Sequence, residues 1–236
     1  MIDLRRFQTV PSTMDLAAKL AEEGAAQGVV VAADEQTAGR GRRGATWASP
    51  PGAGLYFSFV ARPSSASLPL VTLAAGVGVR DGIQAATGLA AGLKWPNDLL
   101  VGKRKLAGIL AEGLSIGTTG QAVVIGVGVN VLRASYPPDV AARATSIEDE
   151  LGRAVDRETV LAQVLVALER RLDTLERDPG DILRAWRDAS PTATGTRVEW
   201  GGKHGVTAGL DEGGALLVRT PSGVERVIGG ELHWTL

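Results

Sequence analysis

The chain has no cysteine and only two histidines in 236 residues. Without cysteine there is no disulfide, no zinc-thiolate site and no thiol nucleophile, and the composition fits the cytoplasm. His204 and His233 both lie near the C-terminus, far in sequence from the glycine-rich segments, which argues against a serine-histidine hydrolase or a histidine-built metal centre. No apolar run reaches the roughly 18 residues of a membrane span. Asp3, Arg5 and Arg6 stand where a signal peptide would place its apolar core. Excess charge is missing too: Lys+Arg 25 against Asp+Glu 26 leaves a net charge of -1, which argues against a protein that coats nucleic acid. What remains is 44% hydrophobic and 22% charged, an ordinary globular composition. The length points to one large domain and a small one.

The order of elements is legible from periodicity. Ser12 with Asp15 three residues on is a capping-box pattern, and Leu16, Ala17, Leu20 and Ala21 fall at i,i+4 spacing, so the first element is expected to be a helix from Ser12 or Thr13 to about Gly24. The run from Gly28 to Ala33 predicts a buried strand that delivers Asp34, Glu35 and Gln36 to the next loop. Leu55 to Ala61 predicts another strand. Leu70, Leu73, Ala74, Val77 and Ile83 trace a helical face, weakened by Gly76 and Gly78 at about 1 kcal/mol each relative to alanine. Short strands are expected at Leu93 to Trp95, Asp98 to Val101, Leu106 to Leu114 and Gln121 to Val131, with a turn at Gly117 to Gly120. Asp156 is expected to cap an amphipathic helix that runs to about Arg177, and a short helix follows around Ile182 to Trp186. Beyond Ser190-Pro191 the glycine-rich segments Arg197 to Trp200, Val206 to Ala208, Ala215 to Arg219 and Val224 to Ile228 predict a small β-barrel, which divides the chain into residues 1–190 and 191–236.

Four clusters can carry chemistry. Gly39-Arg40-Gly41-Arg42-Arg43-Gly44, followed by Trp47, sets three guanidinium groups on a backbone loosened by glycine, which can wrap a carboxylate or phosphate. Read alone, the run is equally a solvated loop or a nucleic-acid patch. Lys94-Trp95-Pro96-Asn97-Asp98 is followed by Lys105 at the start of an apolar strand, where the scaffold would hold its ammonium; an ordinary turn and a basic hairpin tip are the alternatives. Gly126-Val127-Gly128-Val129-Asn130 puts small residues inside a buried strand, the mark of a ligand's close approach or of a bulge. Ser12-Thr13 either caps a helix or holds an amide-like head group.

In this order, together with Lys105-Leu106-Ala107-Gly108-Ile109-Leu110-Ala111-Glu112, these motifs resemble the signature of bacterial biotin protein ligases, and the segments 208–214 and 229–232 resemble the SH3-like barrel that closes such enzymes. The resemblance covers nearly the whole chain. It implies a mixed α/β (α+β) catalytic domain related to class II aminoacyl-tRNA synthetases and lipoate ligases. It also implies two steps: biotin and ATP give biotinyl-5'-adenylate with Mg2+ assistance, and a lysine of a biotin carboxyl carrier protein domain then accepts the biotinyl group. Carried over by motif, Ser12, Thr13, Met14, Gln36, Arg40, Gly41, Arg42, Lys105 and Gly108 are expected at biotin. Arg40, Arg42, Trp47, Asn97, Lys105 and Asn130 are expected at ATP or the adenylate. The catalytic set is Arg40, Arg42, Lys105 and Asp98, with Asp98 either holding magnesium or orienting the acceptor amine. Met14 stands where relatives often have asparagine, and Gly54 where some do. Some members carry a DNA-binding domain ahead of the catalytic one, and the 11 residues before Ser12 leave no room for it here. No DNA or membrane partner is expected; a homodimer is compatible with the sequence. The competing readings are a lipoate or octanoate ligase or transferase on the same fold, and a noncatalytic nucleic-acid or peptide binding module.

Overall fold

The structure is a computed structural model that describes residues 1–116, 120–230 and 232–235. The expected turn over residues 117–119 and the motif residue Glu231 lie outside the described residues. A seven-stranded sheet runs in the order β1-β2-β3-β7-β6-β5-β4. Its strands are β1 (Asp3–Val10), β2 (Val29–Gln36), β3 (Gly54–Ala61), β4 (Gly92–Lys94), β5 (Asp98–Val101), β6 (Arg104–Ile116) and β7 (Gly120–Asn130). Strands β1 and β2 are parallel, joined across α1 (Thr13–Glu22); every other pair in the sheet is antiparallel. The expectation that a helix comes first is corrected by β1. Its side chains are exposed at nearly every position before Val10, so Asp-Leu-Arg-Arg-Phe-Gln-Thr carries no alternation to read.

Strands β2 and β3 are covered on both faces, which is why they read as continuous apolar runs. One face packs Phe57, Phe59, Ile109, Ile125 and Val127 beneath α2 (Val71–Thr87), α4 (Arg157–Arg177) and α5 (Pro179–Ala189). The other packs Val29, Val31, Val60 and Val124 against Met14, Ala17 and Ala21 of α1. The glycines that weakened α2 as a sequence pattern serve its crossing with α4. A Cβ on Gly78 would lie 2.7 Å from Leu168 Cα, and one on Gly82 would collide with the Val164 backbone. Asp156 caps α4 as expected, accepting the N–H groups of Glu158 and Thr159. A short helix, α3 (Ile147–Leu151), follows β7 and was not legible in the sequence.

The C-terminal sheet is antiparallel, in the order β11-β10-β9-β8-β12. It comprises β8 (Thr194–Trp200), β9 (Lys203–Leu210), β10 (Leu216–Thr220), β11 (Gly223–Val227) and β12 (His233–Thr235). It is seated on the larger sheet. Trp95 Nε1 donates to Gly214 O at 3.0 Å, Lys94 Nζ lies 5.4 Å from the Trp234 ring, and buried residues of the two sheets share one apolar cluster.

Candidate active site

Helix α1 covers only part of its face of the sheet. Beyond its N-terminus the cross-strand pairs Gly108–Gly128 and Leu110–Gly126 of β6 and β7 put glycine at three of four positions on that face, and a trough opens there. The cleft has a volume of about 260 Å³. Its walls bring together Ser12, Thr13, Met14, Gln36, Arg40, Gly41, Arg42, Trp47, Asn97, Asp98, Lys105 and Gly108, leaving Asn130 as the one expected site residue that does not line it.

The floor is glycine because an aromatic ring lies on it. A Cβ on Gly128 would collide with the Trp47 indole, and one on Gly108 would lie 3.0 Å from Trp47 Cζ3. Lys105 Nζ stands 5.3 Å from the centre of the same ring, in cation-π contact, and 2.7 Å from Asp98 Oδ1. That oxygen is met off the hydrogen-bond direction, so charge holds the pair. The Lys105 main chain is fixed on both sides, its N–H donating to Arg143 O at 2.8 Å and its C=O accepting from Thr145 N at 2.9 Å. Asn130 acts one layer back. Its amide donates to Thr145 O at 3.0 Å and Lys105 O at 3.3 Å, so it braces the strand of Lys105.

The three arginines of the glycine loop do not converge on one point. A tight turn at Arg42–Gly44, closed by Gly41 N–H to Ala45 O, places Arg43 in the left-handed region at φ 56° and sends the three side chains apart. Arg42 turns inward and donates to Asn97 Oδ1 at 3.1 Å; Asn97 in turn donates to Ile109 O at 2.8 Å. Burial pushes the Arg42 pKa down, as does Arg43, against the opposing pull of Asp98. Arg40 instead meets Asp15 Oδ1 at 2.9 Å and both oxygens of Glu112 at 3.1 Å, bridging the loop to α1 and β6. Arg43 lines a separate groove with Trp200, Lys203 and Gly230 of the small sheet. Lys94 stands behind the site with its pKa lowered, chiefly by burial; Asp98 opposes the shift and Lys105 adds to it.

At the α1 end, Thr13 donates through both N and Oγ1 to Gln36 Oε1, at 2.9 and 3.1 Å, and Gln36 Nε2 donates to Ser49 Oγ at 2.9 Å. The capping box read into Ser12 and Asp15 does not form. Ser12 makes no cap bond, and the Asp15 carboxylate pairs with Arg40. The Ser12 hydroxyl is buried without a partner, and so is the Trp47 indole N–H. Among the described residues no group of three or more His, Asp or Glu side chains is placed to hold a metal ion, so Asp98 stands as a single carboxylate. Asp15 and Glu112 were missed as partners of the loop. The available signal was Glu112 itself, a charge on the strand face it shares with Gly108 and Leu110.

A profile of the biotin/lipoate A/B protein ligase family matches residues 6–130. The biotin–[acetyl-CoA-carboxylase] ligase of Paracoccus denitrificans is 38% identical over 219 residues, 86% of this chain and 89% of that protein. The chain belongs to the biotin protein ligases. The bifunctional ligase/repressor of Bacillus subtilis is 34% identical over 94% of this chain and 71% of its own length. Among solved structures, the biotin protein ligase of Aquifex aeolicus in complex with biotin and ATP superposes with a TM-score of 0.83, 29% identity and 99% coverage of both chains. The mixed α/β architecture expected from the motifs is that of these ligases. No helix among the described residues is long and apolar enough to cross a membrane.

Proposed function

We propose that the cleft holds biotin and ATP together, forms biotinyl-5'-adenylate, and passes the biotinyl group to a lysine of a biotin carboxyl carrier domain. One observation carries the reading: Arg42, Lys105 and Trp47 meet over a glycine floor in a cleft whose Ser12 hydroxyl and Trp47 N–H have no protein partner. A buried donor left unsatisfied costs about 1–3 kcal/mol, which a ligand's acceptor offsets. In the first step a carboxylate oxygen of biotin attacks the α-phosphorus, the bond from that phosphorus to the bridging oxygen breaks, and pyrophosphate leaves. Arg42 and Lys105 neutralise the charge on the phosphoryl oxygens, so orientation and electrostatics suffice without a protein nucleophile. In the second step the lysine nitrogen attacks the acyl carbon, the acyl C–O bond to AMP breaks, and the amine's proton passes to water.

Ser12, Thr13, Met14, Gln36, Gly41 and Gly108 are assigned to biotin. Trp47 and Asn97 are assigned to the nucleotide, and Arg40 is assigned to holding the loop. Asp98 would hold a magnesium ion that accompanies the triphosphate, where the ion would offset phosphate charge, since one or two carboxylates are the usual protein share of such a site. Its charge is equally suited to steering the acceptor ammonium. Residues 191–236 form the small unit that borders the site, with the boundary near residue 190. The Aquifex ligase, solved with biotin and ATP, and the Paracoccus ligase, named for acetyl-CoA carboxylase, support the choice of substrates.

Exchange of labelled pyrophosphate into ATP tests the proposal. Exchange that requires biotin is the expected result. Exchange with lipoate and none with biotin overturns it in favour of a lipoate ligase, and salt-dependent binding of bulk DNA without exchange favours a binding module.

A further inference from the structure

Lys105 reaches the cleft because its strand is irregular. Leu106 is an extra residue in β6: Leu99 of β5 pairs with Ala107, and the next residue, Leu100, already pairs with Lys105. Strict alternation would put Lys105 on the face opposite Gly108. The bulge instead sends Leu106 into the core with Ala107 and Ile109 and leaves Lys105 on the wall of the cleft. It also takes Lys105 out of reach of the central strand. Pairing of β6 with β7 ends at Ala107–Val129, so the Lys105 main chain lies beyond the last rung. Residues 143–145 carry it, through a parallel bridge to Ala144 flanked by the hydrogen bonds to Arg143 O and from Thr145 N.

One side chain ties that segment to the strand it supports. Glu150 of α3, 14% exposed, accepts through Oε1 from Thr145 Oγ1 at 2.6 Å and from Arg104 Nη2 at 2.8 Å. Thr145 is fully buried and gives the N–H that meets Lys105 O; Arg104 directly precedes Lys105. A single carboxylate oxygen therefore spans the two segments on either side of the Lys105 main chain. Its own base is firm. Ser146 caps α3 by accepting Asp149 N–H at 3.1 Å, and Glu148 N–H donates to Val131 O at 2.9 Å, just past the end of β7. Such support matters at a charged group facing a reacting bond, where a misplacement of about 1 Å costs on the order of a hundredfold in rate.

We propose that Glu150 is a positioning residue for Lys105: by drawing Thr145 and Arg104 onto one carboxylate oxygen, it fixes the main chain from which the Lys105 ammonium reaches the acyl phosphate. The proposal rests on the role given to Lys105 above. Glu150 lies outside the lining of the cleft, so it acts on the reaction only through the backbone it holds.

Glu150→Ala tests it. The kcat of biotin-dependent pyrophosphate exchange is expected to fall by about tenfold or more, with the KM for biotin within about twofold of the parent. Glu150→Gln keeps an oxygen that accepts both hydrogen bonds, and it is expected to bring kcat back to within about threefold. Arg104→Met, at a half-exposed position, removes one arm only and is expected to lower kcat by about threefold. Dissociation of added biotinyl-5'-adenylate, which needs no turnover, separates action through Lys105 from a general loosening of the fold. Glu150→Ala should speed it by about fivefold in the parent and leave it unchanged in a Lys105→Met background. An unchanged kcat in Glu150→Ala overturns the proposal. So does equal acceleration in both backgrounds, or a raised KM for ATP with kcat intact, which would assign the 143–145 segment to the nucleotide alone. Absence of biotin-dependent exchange in the parent marks instead the failure of the underlying reading.

Discussion

Arg40 and Arg42 are separated by a single glycine and have opposite surroundings. Arg42 is drawn into the cleft, where its partner is the neutral Asn97 and burial disfavours its charge. Arg40 lies among carboxylates, Asp15 on α1 and Glu112 on β6, all three side chains more than a third exposed. A guanidinium that is partly desolvated and short of anions is ready for one. A guanidinium already flanked by two carboxylates works as a strut. The same sequence pattern therefore contains one guanidinium with a neutral partner in the cleft and one that carboxylates tie to α1 and β6.

The largest effect is expected where that difference is greatest. Arg42→Gly should speed dissociation of the acyl-adenylate by roughly tenfold to a hundredfold, because a hydrogen bond to a charged group contributes about 1.5–3 kcal/mol. A dissociation rate equal to the parent's, measured by loss of bound labelled intermediate, removes Arg42 from the phosphate. Next comes the floor on the inner side. Gly128→Ala should force the Trp47 ring off β7 at about 1–3 kcal/mol, the usual range for overpacking. The expected readouts are a shifted Trp47 fluorescence response to ligand, a KM for biotin raised about tenfold and a melting temperature lowered by several degrees; a parent-like KM would show that the ring's seat is irrelevant to the ligand.

Arg40→Ala should do less. Exposed ion pairs contribute about 0–1 kcal/mol, so adenylate dissociation should rise no more than about fivefold, and high salt should erase the difference. Glu112→Gln should reproduce it, and the double variant should add little to either single one. If Arg40→Ala is as damaging as Arg42→Gly and insensitive to salt, both guanidiniums grip the ligand and the contrast between them collapses.

How much of this could be read from the sequence depends on where each signal lies. The buried strands, α2 and α4 announced themselves because their side chains pack against two layers or one continuous stripe. Strand β1 did not, since backbone pairing to β2 holds it while its side chains face water. Motif order gathered nearly the whole cleft, yet it could not separate Arg40 from Arg42, because that difference comes from Glu112 on another strand and from the left-handed turn at Arg43. Asn130 was legible as a special residue, and the structure adds its hold on the Lys105 main chain. An amide at the end of a glycine-rich strand can serve a neighbouring main chain as well as a ligand, and the 143–145 segment that accepts from it beside Lys105 is announced by no local pattern.

The smallest expected effect concerns the charge balance behind the cleft. Burial already lowers the Lys94 pKa, Asp98 works against that, and Lys105 works with it. Asp98→Asn removes the anion that favours the Lys94 ammonium, so the Lys94 titration should move to still lower pH. Lys105→Met removes a competing cation, so it should move the titration upward. The linked stability has a definite sign. A lysine whose folded pKa lies below its unfolded value binds fewer protons when folded, so it opposes folding at neutral pH, and that opposition fades as pH rises through the folded value toward the ordinary lysine value of 10.5. Asp98→Asn should therefore steepen the gain in stability on the alkaline side, while Lys105→Met should flatten it. Lysine side-chain NMR titrations of the parent and both variants read the shifts directly. Shifts of the same sign in the two variants would mean that Lys94 senses a rearranged backbone and not the opposed charges of Asp98 and Lys105.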